Sequence, residues 1–245
     1  MRKGKIIIMI TLLSVVTILI IILANNWRNK TIISKITIKG NITISEGEIL
    51  TAAGLKADST INLDELNEVF IRDRVAKHPE IKKVVVSKEP PTELIIEVVE
   101  KKPIAIVLKN NEIFLIDEEQ EIFPIKNYEK AFDLPIINGL IYDERKNNLQ
   151  INLAINFLKV VYKEGKYLQN LISEINMKDS LMIIVKTNDK VIPFYFPRIE
   201  KDANEIYKQK LTLFKMFMDE EIALKNLDCE YVDMRFSNQI IAKIN

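Results

Sequence analysis

Few side chains in this 245-residue chain could do chemistry, and their scarcity decides which chemistry is open to it. There is one histidine, His78, and one cysteine, Cys229. A serine nucleophile needs a base. The single imidazole stands beside Pro79 at a helix end, where a capping or surface role suits it. No serine has a lysine three positions later, and no Gly-x-Ser-x-Gly elbow occurs. Asp117, Glu118, Glu119 and Glu121 are the best candidates for paired carboxylates. A hairpin tip would expose them to water, which does not suit acid catalysis. The same four could hold Ca²⁺, but the glycine and regular spacing of an EF-hand loop are lacking. A lone cysteine excludes disulfide frameworks and zinc clusters, and Cys229 reads as a small buried hydrophobe in a strand. No catalytic, cofactor-binding or metal-binding residue is assigned, and the chain is read as a non-enzyme.

The elements that surround these residues begin with a membrane signal. Ile6 to Ala24 is a 19-residue run without charge, whose only hydroxyl groups are Thr11, Ser14 and Thr17. At ~1.5 Å of rise per residue it matches a bilayer core of about 30 Å. Arg2, Lys3 and Lys5 precede it, and Trp27, Arg28 and Lys30 follow. Early positive charge favours a cytoplasmic N-terminus, with Trp27 as an interface anchor. A cleaved signal peptide would be shorter and would end on small residues, but Ile22 stands where one belongs. The expectation is a tail over 1–5, a single-pass anchor over 6–26 touching lipid through 6–24, and an outward-facing remainder. Thirty-five basic residues against 34 acidic ones leave no basic excess for nucleic acid.

After the anchor, Ile32 to Lys39 is rich in β-branched residues and ends at Gly40-Asn41, a strand and a turn. Ser45 with Glu48 predicts a capping box, a short helix through Ala53 and a C-cap at Gly54. A second helix is expected to open at Asn62-Leu63-Asp64-Glu65, with Leu66, Val69, Phe70 and Val75 on one side, and to stop at His78-Pro79. Ile81 to Lys88 and Leu94 to Glu100 read as strands around a proline turn at Glu89–Thr92. The order β-α-α-β-β predicts two helices on one face of a three-stranded sheet. Lys82-Lys83 and Lys101-Lys102 read as solvated strand positions.

From about Ile104 the pattern changes. Glu112 to Pro124 reads as a hairpin with an acidic turn. A helix over Asn152–Tyr162 brings Leu153, Phe157, Val160 and Val161 together. Strands are expected at Leu171–Met177, Leu181–Thr187 and Val191–Phe196, with a tight turn at Asn188-Asp189-Lys190. A helix from about Asp202 carries Ala203, Tyr207, Leu211, Phe214 and Met218 as an apolar stripe, a core face rather than a cofactor box. Asp228–Phe236 and Gln239–Asn245 form a terminal hairpin around Ser237-Asn238. In the last strand Ile240, Ala242 and Ile244 point one way and Ile241 and Lys243 the other, so one face can anchor on the core. Its backbone edge could receive a strand from another chain or be capped by neighbours. The fold class is α+β: one transmembrane helix, a small β-α-α-β-β domain and a mixed β-rich domain with helices.

The order β-α-α-β-β resembles a POTRA domain. His78-Pro79-Glu80-Ile81-Lys82-Lys83-Val84 and the run Pro91 to Ala105 are similar to the POTRA of the bacterial division proteins FtsQ and DivIB. Leu134-Pro135-Ile136-Ile137-Asn138-Gly139 resembles that family's Leu-Pro-x-x-x-Gly segment. Tyr231 to Ile240 resembles its Val-Asp-x-Arg-Phe/Tyr hairpin. With the anchor, these motifs cover nearly the whole chain in order. The resemblance implies a POTRA domain over 31–102 and a β-domain over 103–245. It implies a non-catalytic scaffold of the division septum that binds FtsB/FtsL-type bitopic proteins by strand addition, with no cofactor and no small-molecule substrate. Carried over by position, the partner-binding residues are Arg235, Phe236, Ser237, Asn238, Gln239, Ile240, Ile241, Ala242, Lys243 and Ile244. Two other classes are an anchored cell-wall enzyme and an envelope chaperone or translocation component. The first lacks a nucleophile and base; the second normally carries repeated POTRA units or a barrel.

Overall fold

The structure, a computed structural model, describes residues 2–28, 33, 35–56, 62, 66–89, 92–109, 112–125, 132–141, 149–188, 192–224, 227–237 and 239–245. Helix α1, Arg2–Arg28, contains an apolar stretch over Ile7–Asn25 that is long enough to cross a membrane. Its hydroxyls are satisfied within the helix. Thr11 Oγ1 donates to the carbonyls of Ile7 and Ile8, Ser14 to that of Thr11, and Thr17 to those of Leu13 and Ser14. A helix whose polar groups bond internally presents no unmet donor to hydrocarbon.

The chain divides into two compact units, residues 1–100 and 101–245. In the first, β1 (Lys35–Lys39) is followed by α2 (Glu46–Ala53), α3 (Glu68–Val75), β2 (Ile81–Glu89) and β3 (Glu93–Glu100). The sheet order is β1-β3-β2, with β1 parallel and β2 antiparallel to β3. Ile49 and Ala53 of α2 and Ile71 and Val75 of α3 join Val84, Leu94, Ile96 and Val98 in one apolar core. Ser45 caps α2 by accepting the Glu48 N–H, and Gly54 closes the helix in the left-handed region. Gly40 is left-handed too, and a Cβ there would collide with the Val98 carbonyl oxygen. The loop that follows Gly40 is held by a buried carboxylate. Glu100 accepts the N–H groups of Ile42, Thr43 and Ile44 and the Thr43 hydroxyl. Burial alone would push Glu100 up, but those bonds outweigh it and hold the carboxyl below its ordinary value.

Four expectations change here. The second helix does not open at Asn62; Asn67 is its cap, accepting the Phe70 N–H at 3.1 Å. The stretch 63–65 lies outside the described residues. The buried face is Ile71 and Val75, four residues apart, with Leu66 packed at its edge, whereas Val69 and Phe70 are 53% and 58% exposed. His78 is not a surface residue. It is buried, its Nε2 is 3.0 Å from Glu48 Oε1, and its Nδ1 accepts the Glu80 N–H. The Glu48 side chain thus ties α2 to the end of α3 instead of completing the capping box.

The second unit is built on one nine-stranded sheet. Its elements are β4 (Pro103–Lys109), β5 (Glu112–Asp117), β6 (Ile122–Pro124), β7 (Ile136–Asn138), α4 (Leu149–Glu164), α5 (Lys166–Leu171), β8 (Ile172–Asn176), β9 (Met182–Thr187), β10 (Pro193–Pro197), α6 (Ala203–Phe217), a π-helical turn (Met218–Leu224), β11 (Cys229–Asp233) and β12 (Ile241–Ile244). The order is β12-β11-β10-β9-β8-β7-β4-β5-β6. Three pairs are parallel: β4 with β7, β7 with β8, and β10 with β11. The core joins Leu153, Phe157, Val160 and Val161 of α4 and Tyr207, Leu211 and Phe214 of α6 to the buried side chains of the sheet. Phe157 stacks edge-on against Tyr207 and Phe196 at 5.1 Å each, and Phe194 against Phe214 at 4.7 Å.

The apolar stripe of α6 and the hairpin over 112–124 are as the periodicity predicts. The acidic turn is not simply a wet tip. Asp117 is buried, and its Oδ1 accepts the N–H groups of Glu119 and Glu121 at 2.9 Å. Lys101 is no solvated strand residue either. It precedes β4, its side chain is buried over the Phe123 ring, and its ammonium lies 2.6 Å from Glu121. Strand β8 begins at Ile172 because Leu171 closes α5, and β10 runs Pro193–Pro197. Asp189, Lys190 and Val191 of the expected turn and strand lie outside the described residues.

Candidate partner-binding edge

Strand β12 pairs antiparallel with β11 in the register Asp233–Ile241, Val232–Ala242 and Tyr231–Lys243, with a bulge before Cys229–Ile244. It is the outermost strand: among the described residues none pairs with its other side. Two hydrogen bonds fix which backbone groups point outward. Met234 N–H donates to the Tyr195 carbonyl on β10, so Asp233 points to β12. Asn245 N–H donates to the Asp228 carbonyl on the β11 side. By the alternation of a strand, Ile241 and Lys243 turn their N–H and C=O toward β11, and Ala242 and Ile244 turn theirs away from the sheet.

The side chains divide as follows. Ile240 and Ala242 pack against the core, while Ile241 and Lys243 are exposed, as their alternation predicts. Ile244 departs from that pattern: it is 60% exposed, because its opposite residue lies beyond the bulge in β11. The strand itself covers Ile241–Ile244 rather than the full Gln239–Asn245. Phe236, Ser237 and Gln239 are exposed, and Asn238 lies outside the described residues. Arg235 is exposed with its guanidinium turned back onto Asp233.

Asp233, part of the Val-Asp-x-Arg match but not of the partner-binding residues read from sequence, is the group that Arg235 meets. Its carboxylate accepts the Arg235 backbone N–H at 3.0 Å, Nε at 2.9 Å and Nη2 at 2.6 Å. The Arg235 side chain first, against the opposing effect of burial, holds Asp233 below the ordinary carboxylate range. The Asp-x-Arg spacing of that motif is the signal for this pair. Tyr195 and Tyr231 stack at 5.2 Å beside the edge. Burial, then the neighbouring Tyr231 and Asp233, pushes the Tyr195 phenol up. Lys243 pairs with Glu230 at 2.5 Å across the hairpin, both half exposed. Cys229 is a buried thiol at the start of β11.

Nothing in this arrangement resembles a reaction centre. A hollow of about 460 Å³ between α4 and α6 is lined by Asn156, Glu200, Asp202, Ala203, Asn204 and Glu205, without an imidazole or thiol. Among the described residues no three His, Cys, Asp or Glu side chains converge on a metal position. What the edge offers is unpaired backbone flanked by Phe236, Ile241 and Ile244.

The two units match two family models in order. Residues 32–101 match "POTRA domain, FtsQ-type", and residues 105–235 match "Cell division protein FtsQ/DivIB, C-terminal". The cell division protein FtsQ of Rickettsia bellii is 38% identical over 90 residues, 36% of this chain. That of Rickettsia felis is 36% identical over 87 residues. These alignments span 32% of each Rickettsia protein. The FtsQ of Syntrophotalea carbinolica is 25% identical over 221 residues, covering 87% of this chain and 74% of that protein. With both units accounted for and the C-terminal model alone covering more than half of its residues, the chain belongs to the FtsQ/DivIB family.

Proposed function

We propose that this protein is a membrane-tethered, non-catalytic scaffold of the bacterial division machinery. Its β12 edge receives a strand from an FtsB/FtsL-type bitopic partner. Residues 1–5 form a cytoplasmic tail, 6–26 the anchor, 31–102 the POTRA domain and 103–245 the β-domain, with the bulk of the chain outside the cytoplasmic membrane at the septum. The partner lies along Arg235 to Ile244. The observation that carries this reading is the open edge of β12, whose outward groups belong to Ala242 and Ile244, in the domain that matches the FtsQ/DivIB C-terminal model. Main-chain bonds at such an edge supply affinity, and flanking side chains supply selectivity. Exposed Phe236 and Ile241 are placed to do the latter. The cell division names of the relatives support the same role.

A fluorescent fusion in dividing cells tests the role, and co-purification with the organism's FtsB-type protein tests the edge. A midcell band and capture that disappears on deletion of 239–245 are expected. An even envelope signal would remove the division role, and undiminished capture would remove the edge.

A further inference from the structure

Lys210, on α6, is a buried lysine, 5% exposed. Its neighbours on the helix, Tyr207, Leu211 and Phe214, form the fully buried stripe, so packing alone would be served by an apolar residue there. The Lys210 ammonium donates to the backbone carbonyl of Phe236, 26 positions away, in the turn between β11 and β12. That turn starts at Asp233, which Arg235 clamps from the other side. One helical turn before Lys210, the Tyr207 hydroxyl donates to the Pro197 carbonyl and accepts the Ile199 N–H. Because β10 and β11 are parallel, Pro197 and Phe236 leave the sheet at the same end. A single helix therefore grips the exits of both strands.

We infer that Lys210 is a positioning residue for docking: it fixes the β11–β12 turn and thereby the pitch at which β12 offers Ala242 and Ile244 to a partner strand. The inference rests on the proposed docking at this hairpin. A strand edge is recognised only if its outward groups keep the spacing of a ladder, and a turn that wanders loses that spacing. Burial pulls the Lys210 ammonium down from its ordinary value, and the Asp233 charge opposes it.

Lys210→Met keeps the volume and removes the donor. In the full-length protein, hydrogen exchange of residues 234–245 is expected to quicken about tenfold in this variant, with α4 and β8–β10 unchanged and the melting temperature equal or higher. Lys210→Arg, which keeps the charge and donors, is expected to restore slow exchange. Capture of the extracytoplasmic segment of the organism's FtsB-type protein is expected to fall about tenfold with Lys210→Met and to recover with Lys210→Arg. Wild-type exchange in Lys210→Met overturns the role of Lys210 and leaves the docking site standing. Faster exchange with undiminished capture overturns the inference, and retained capture after deletion of 239–245 shows in that case that the docking site itself was wrong. If Lys210→Met fails to fold, Lys210→Gln, with a neutral donor, gives the same two readouts.

Discussion

The nine-stranded sheet has two edges, and they are built differently. At one, β6 is three residues long and ends in Pro124, which has no N–H to give. Its Phe123 is buried under the Lys101 side chain. At the other, β12 carries no proline and leaves Ile241 41% and Ile244 60% exposed. Short length, proline and lysine cover are the devices by which proteins blunt sheet edges against unwanted pairing. Both end strands are short, and β12 carries Lys243, but proline and a lysine laid over a buried ring are found at β6 and not at β12, a difference that fits the proposed pairing at the second edge.

Removal of the open edge should have the largest effect. Deleting 239–245 is expected to abolish capture of the FtsB-type partner, with the thermal transition of the first unit unmoved. The first unit supplies a control for locality. Glu100→Ala strips the acceptor from three loop N–H groups, at a cost of roughly 2 kcal/mol to that unit, yet capture at β12 should not change. Because the folded carboxyl is held below its ordinary value, the stability it contributes is complete above the unfolded glutamate value of about 4.3. It is lost as pH falls through the lowered folded value, and the variant should lack this acid-dependent part of the melting curve. A partner that is lost together with Glu100 would mean that the two regions do not act separately.

Smaller changes sharpen the contrast between the edges. Ala242→Pro removes one outward donor and no bond to β11, and should weaken capture about fivefold to tenfold in a titration. Lys243→Ala removes only the exposed pair with Glu230 and should change the same titration less than twofold. Comparable losses from both would point to side-chain charge rather than backbone pairing. Pro124→Val gives β6 back its donor, and light scattering should then detect weak self-association absent from the parent protein. A strictly monomeric variant would mean that proline is not what blunts that edge.

Much of this was legible from residue order. The β-branched runs announced β1, β2 and β3, the spacing of Tyr207, Leu211 and Phe214 announced α6, and Ser45 with Gly54 bracketed α2. Local periodicity and cap chemistry carry these signals. It could not announce β7, whose three residues are too few for a period and whose pairing with β4 and β8 is long-range. It misjudged α3, because the choice between Phe70 and Ile71 as the buried residue depends on where the sheet lies. At the candidate site it named the hairpin and its Val-Asp-x-Arg motif but not Lys210, since a buried charge on an apolar stripe is recognised only when its distant acceptor is known.

The sequence by itself determined that an apolar helix precedes a β-α-α-β-β unit and a β-rich unit, and that the chain has one histidine and one cysteine. Those properties follow from composition and short-range spacing. Only the tertiary structure decided that β12 ends the sheet, which of its backbone groups are free to pair, and that His78, Glu100, Asp117 and Lys210 spend their polarity inside the protein. These depend on contacts between residues tens of positions apart, whose geometry no local pattern encodes.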